Sequence, residues 1–183
     1  MARPVTLRNT TSRAGFGALS LARLALGATF LWAFFDKLFG LGFATCRDAA
    51  TNAAEIGCSA AWVEGGSPTT GFLSYATQGP FADWFQSLTG LAWVDWLFML
   101  GLLLIGLALT LGVALRIAAV SGSLLMLMMW AATLWPENNP AIDDHIVYIF
   151  LLGAIAAFAR YQMFGLGKRW QTLPIVRRLP WLV

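Results

Sequence analysis

Charge is what this chain has least of. Only 11% of its 183 residues are Asp, Glu, Lys or Arg, and its mean hydropathy is +0.69. Those values exclude an ordinary soluble domain and match a chain that lives in a bilayer. Histidine occurs once and cysteine twice. A single histidine excludes a bis-histidine haem site, and no flavin-binding pattern is present. Cys46 and Cys58, with eleven residues between them, lack the Cys-x-x-Cys spacing usual for a redox dithiol, and a zinc site would need more ligands than these. No internal repeat of roughly 20–50 residues is visible.

The little charge there is has been sorted. Between Asp95 and Glu137 the only charged residue is Arg116, with twenty uncharged residues on either side. Each twenty makes a helix of about 30 Å, the thickness of a bilayer core. With Arg116 at a tight turn near Gly112, all nine acids fall on one side of the membrane: Asp36, Asp48, Glu55, Glu64, Asp83, Asp95, Glu137, Asp143 and Asp144. Of the twelve Lys and Arg, only Lys37 and Arg47 join them. This is the positive-inside distribution and not a nucleic-acid footprint. The expectation is an all-α integral membrane protein of one domain, a four-transmembrane-helix bundle with N- and C-termini cytoplasmic. Its spans lie near 15–41, 95–115, 117–135 and 144–163.

Residues 42–91 form an outer loop rich in Gly, Ala, Ser and Thr. Cys46 and Cys58 lie there, on the side where a disulfide persists, and a structural staple is favoured over redox or zinc chemistry. Phe81, Trp84, Phe85 and Leu88 recur at helical spacing after Pro80, which predicts a short amphipathic helix on the membrane surface or over the bundle. Gly101, Gly106, Ser121, Gly122 and Ser123 are small enough to let helices touch. Met126, Met128 and Met129 read as filler. Trp170 and Trp181 in the basic tail read as interfacial anchors.

Two spans are short of uncharged residues. Leu24 to Phe35 covers only about 18 Å as a helix, so Arg23 or the Asp36–Lys37 pair lies within the bilayer boundary. Arg23 either snorkels to lipid phosphate, the ordinary reading, or meets a buried partner, and no acid on the inner side can supply one. On the same helix Arg23, Gly27, Phe30, Phe34 and Lys37 share a face, with Asp36 pointing elsewhere. Ile146 to Ala159 covers about 21 Å, which places His145 or Arg160 near a boundary. Pro136 and Pro140 break the chain ahead of this span, and Asp143 and Asp144 suit the first turn of a new helix. Asp144, His145 and Tyr148 then fall within one turn, with Asp144 placed to orient or charge the histidine. His145, Tyr148, Asp144, Lys37, Asp95 and Arg23 are the candidate ligand residues, gathered around a slot in the outer half of the bundle.

Several stretches resemble the DoxX family of four-helix membrane proteins. They are Arg23-Leu-Ala-Leu-Gly27 through Asp36-Lys37-Leu38, Gly79-Pro-Phe-Ala82, Asp95-Trp-Leu-Phe98, Gly112-Val-Ala-Leu-Arg116, and Pro136-Glu-Asn-Asn-Pro140 through Asp144-His145. The resemblance reaches from about residue 15 to 170. It is nearest to DoxD-like, actinobacterial members similar to the large subunit of thiosulfate:quinone oxidoreductase. It implies a multi-pass protein of a bacterial plasma membrane, quinone as cofactor and other protein subunits as partners. Electrons would pass from a small sulfur donor to membrane quinone. The outer face, with two bases against nine acids, repels a thiosulfate dianion. Without a flavin fold, cysteines at redox spacing or a bis-histidine haem site, the chain alone is not expected to take electrons from sulfur. Apart from a quinone-binding oxidoreductase subunit, the same features fit a non-catalytic organising subunit or, with acids lining a cation entry, a small transporter or channel. Membrane lipids are partners on any of these readings; haem, flavin, metal and nucleic acid are not expected.

Overall fold

The computed structural model describes residues 8–48, 50–136 and 139–183. The expected cytoplasmic Arg3 and outer Glu137 lie outside them. Among the described residues the protein is all-helical, and isolated bridges (Arg47 with Ala54, Gln78 with Thr133) stand in place of strands.

The first helix, α1 (Arg8–Phe39), ends at Gly40, whose φ of 62° is the left-handed conformation glycine adopts without strain. The loop that follows carries α2 (Thr70–Tyr75) and α3 (Ala82–Gln86). Then α4 (Ala92–Leu111) and α5 (Leu115–Ala132) form an antiparallel pair. Gly112, at φ 75°, turns the chain between them as the sequence predicts. After the proline-containing break comes α6 (Asp144–Ala157), and the tail holds α7 (Gly167–Thr172) and α8 (Pro174–Arg178). Three helices, α1, α4 and α5, are long and apolar enough to cross a membrane; α6 is apolar but shorter. It stops at Ala157, well before the expected 163.

Packing is closest between α1 and α4 and between α5 and α6, and looser between α4 and α5 and between α1 and α6. Leu26, Phe30, Met99, Leu102, Ile105, Leu109, Leu152 and Ile155 fill the shared core. Small residues set the approach. A Cβ on Gly106 would come within 2.8 Å of Leu31, and one on Gly122 within 3.0 Å of Leu152. Gly101, by contrast, faces open space, while Gly27 packs against Thr110 and does what the sequence assigned elsewhere.

The 42–91 segment folds as a cap over one end of the bundle. Cys46 and Cys58 are joined in a disulfide. The expected amphipathic helix is split into a 3-10 turn over Gly79–Phe81 and α3. Phe85 is buried against Leu73 and Ala132, while Phe81 and Trp84 stay exposed. The second short helix, α2, was not legible in the sequence, because Thr70 to Tyr75 has no apolar period.

At the other end, the tail tucks under the α4–α5 turn. Trp170 is half-buried, and its indole N–H donates to Leu182 O at 2.6 Å. Arg116 N donates to Val183 O at 3.1 Å. Trp170 therefore packs within the tail, while Trp181 remains exposed.

Candidate functional site

Near the turn end α1 is tied to the 3-10 turn that follows α6 (Ala159–Tyr161) by stacked rings, Phe16 on Tyr161 with centroids 5.0 Å apart. Towards the cap α1 and α6 leave room between them. A cavity of about 250 Å³ opens there, with Thr29, Phe30, Ala33 and Lys37 of α1 on one wall and Asp144, His145 and Tyr148 of α6 on another. Phe98, Leu102, Leu125 and Met126 close it from α4 and α5. Helical spacing explains the first wall. Phe30, Ala33 and Lys37 sit three and four residues apart, so an apolar stripe ends in one ammonium.

On the second wall, Asp143 is the N-cap of α6 and accepts the amide of Ile146 at 3.3 Å. Its other oxygen lies 2.7 Å from His145 Nδ1. Asp144, two-thirds exposed, stands farther off at 3.5 Å. The histidine is therefore oriented by Asp143, not chiefly by Asp144. The clue was present: an acid immediately before the first helical turn is where a capping carboxylate sits, and the chain offers two in a row. A proton held on Nδ1 towards Asp143 leaves Nε2 as the ring nitrogen available to a ligand. Among the described residues, neither the Lys37 ammonium nor the Tyr148 hydroxyl makes a hydrogen bond or an ion pair within 4.0 Å, and both side chains line the cavity.

The other two candidates lie elsewhere. Asp95 is buried beneath the cap, where its Oδ1 accepts Thr69 Oγ1 at 2.6 Å, Ser67 Oγ at 2.8 Å and Thr69 N at 3.3 Å. It anchors the cap. Arg23 is at the turn end and has no exposed surface. It does not snorkel, and its partners are not acids. The guanidinium donates to the carbonyls of Leu109, Thr110, Met163 and Phe164 and to Gln162 Oε1. Leu109 and Thr110 are in the last turn of α4, whose carbonyls have no helical partner of their own. Carbonyl oxygens, which every sequence has everywhere, were the partners a search for acids could not find.

A second cavity, of about 310 Å³, adjoins the first: Lys37, Phe98, Leu125 and Met129 line both. It extends between α4 and α5 and beneath α2 and α3, with Phe72, Leu88 and Val94 among its walls. Met129, read as filler from the sequence, thus stands at the junction.

Chemically, the first cavity offers an ammonium, a phenol and an imidazole nitrogen, with the Asp144 carboxylate and the Thr29 hydroxyl at its walls, around an apolar slot. It suits a planar, largely apolar ligand with hydrogen-bond acceptor oxygens. Asp143, Asp144 and His145 also bring three potential metal-ligand atoms within 4.8 Å of one another. Two of these residues are already committed, His145 Nδ1 to Asp143 and Asp143 to the helix N-terminus. Compared with known protein families, characterised proteins and solved structures, the chain matches none.

Proposed function

We propose that the chain is a DoxX-type membrane subunit that binds quinone in the cavity of Lys37, His145 and Tyr148, within an oxidoreductase complex of a bacterial plasma membrane. One observation supports this above the rest: an ammonium, an imidazole and a phenol converge, with Asp144 and Thr29 beside them, on a cavity whose other walls are apolar, and two of the three make no hydrogen bond among the described residues. A quinone presents two acceptor oxygens on an apolar ring, which is the complement of that lining. The electrons come from a partner subunit: one histidine, and two cysteines with eleven residues between them, provide neither a bis-histidine pair nor the Cys-x-x-Cys spacing of a redox dithiol.

In this reading α6 is the fourth span. Its 14 residues reach about 21 Å against a core of roughly 30 Å, so His145 sits below the headgroups, at a depth quinone can reach from the bilayer. Both termini are cytoplasmic, following the sorting of basic residues. A cysteine placed at Thr172, with the native pair removed, should resist an impermeant thiol reagent in whole cells; labelling would reverse the orientation.

The binding reading is tested by quinone titration of the purified protein. Lys37→Met and His145→Ala should each weaken binding by roughly ten- to a hundredfold, the loss of one hydrogen bond in an apolar site. Tyr148→Phe should do so more mildly. Titrations indistinguishable from wild type would favour the second reading, a non-catalytic organising subunit. That reading draws on the fate of Arg23, Asp36 and Asp95, whose buried polar groups are all spent on holding the tail and cap.

A further inference from the structure

We infer that the ligand carries a long hydrocarbon substituent, which passes Lys37 and lies in the second cavity, between α4 and α5 beneath α2 and α3. This rests on the quinone reading of the first cavity and adds what kind of quinone it is. Lys37, Phe98, Leu125 and Met129 line both cavities, so the second is the neighbouring apolar space into which a molecule seated against His145 and Tyr148 can extend past these side chains. The second cavity has little to offer a polar group. Two indoles aside, its polar side chains are Lys37, which the head group shares, and Thr69, whose hydroxyl already donates to Asp95 at 2.6 Å. The rest of its lining is apolar, the rings of Phe72 and Phe98 and the aliphatic chains of Leu88, Val94, Leu97 and Leu125 among it. Such a lining recognises hydrocarbon by area and shape alone.

The size of the cavity limits the substituent. An apolar cavity of about 150 Å³ accommodates a six-carbon ring. A volume of about 310 Å³ is twice that and takes roughly ten to twelve carbons on the same scale, the length of two isoprene units. Each methylene buried there should raise affinity by up to about fourfold, and carbons beyond the cavity should add nothing.

The test compares wild type with Val94→Phe and Leu88→Phe, which fill the second cavity and leave the first untouched. Quinones carrying one-, five- and ten-carbon substituents are titrated against each protein by quenching of tryptophan fluorescence in one detergent. Each congener is compared only with itself across proteins, so partition into micelles cancels. The expected result is that both variants bind the one-carbon congener as wild type does and lose roughly tenfold or more for the ten-carbon one. Equal affinity of variant and wild type for the ten-carbon congener overturns the inference, as it would if a resident lipid filled this space, while leaving the head-group site standing. Weakening of the one-carbon congener to the same degree also overturns it, because the cavities would then not act separately. No binding of any congener to wild type overturns the quinone reading and this inference together. If one variant fails to fold, as a melting curve shows, the other decides.

Discussion

Asp36 Oδ2 accepts the backbone amide of Thr45 at 2.9 Å, nine residues along the chain, and that of Ala44 at 3.0 Å; its Oδ1 takes Phe43 at 3.0 Å. A buried carboxylate at the end of α1 thus fixes the path by which the chain enters the cap and reaches Cys46. Asp36→Asn puts an amide N–H₂ where one pair of acceptor lone pairs stood, against backbone N–H groups that cannot accept. The expected cost is roughly 1–3 kcal/mol, the penalty of buried donors left unpaired. Thermal unfolding in detergent should show it as a lower midpoint, and limited proteolysis as earlier cutting within 42–69. An unchanged midpoint and cleavage pattern would mean the cap is held without Asp36.

Arg23 does for the turn end what Asp36 does for the cap. Its Nε is 3.2 Å from Gln162 Oε1, and its other nitrogens satisfy carbonyls of α4 and of the 163–164 strap. Arg23→Met preserves much of the side chain's volume and removes every donor. Several buried acceptors then lose partners at about 1–3 kcal/mol each, so a total of roughly 3 kcal/mol or more is expected. Arg23→Lys should recover only part, because a point-like ammonium cannot serve acceptors spread along a fork. Melting of the three proteins checks the order, and a lysine variant as stable as wild type would refute the fork. Quinone titration of Arg23→Lys should match wild type, since Arg23 lies outside the candidate site.

Helix placement was the most legible feature, because twenty-residue windows without charge are hard to read as anything else. Four of the six candidate residues meet at one cavity for the same kind of reason: helical spacing on α1 and α6 is set locally. Asp95 and Arg23 went astray because their partners are long-range. Asp95 finds Ser67 and Thr69, 28 and 26 residues away, through the folding of a loop that has no period to read. Arg23 finds backbone oxygens, which leave no mark on a sequence. The second cavity was equally invisible, being the space left where two helices part under a cap. Only the apolar run Phe81, Trp84, Phe85 and Leu88 hinted at it.

Glycine at two positions of α4 should respond in opposite ways. A Cβ at Gly106 meets the side chain of Leu31 at 2.8 Å and its backbone N at 3.0 Å, and the latter cannot move without parting α1 from α4. Gly106→Ala should therefore destabilise by roughly 1–3 kcal/mol through overpacking. Nothing lies within 4 Å of a Cβ at Gly101. Gly101→Ala should be neutral or stabilise by up to about 1 kcal/mol, the difference in helix propensity. Unfolding of both variants side by side is decisive, and equal midpoints would show that Gly106 does not set the α1–α4 distance.

The cap should also loosen with acid at one defined place. Asp48 accepts the amide and hydroxyl of Thr51 at 2.7 and 2.8 Å and the amide of Ala50 at 3.0 Å. The backbone bond from Thr51, then its hydroxyl, then Ala50 hold the carboxyl below its ordinary value of 3.8. The folded turn therefore binds a proton less readily than the opened one. Its contribution is complete above the ordinary carboxylate range and is lost as pH falls through the lowered folded value. Hydrogen exchange at the Ala50 and Thr51 amides, measured for wild type and Asp48→Ala at each pH, cancels the intrinsic pH dependence of exchange. Wild type should be the better protected near neutral pH, with the difference shrinking as the carboxylate is protonated and vanishing once it is neutral in both states. A difference that stays constant down to strong acid would show that the turn is held by something other than the charge on Asp48.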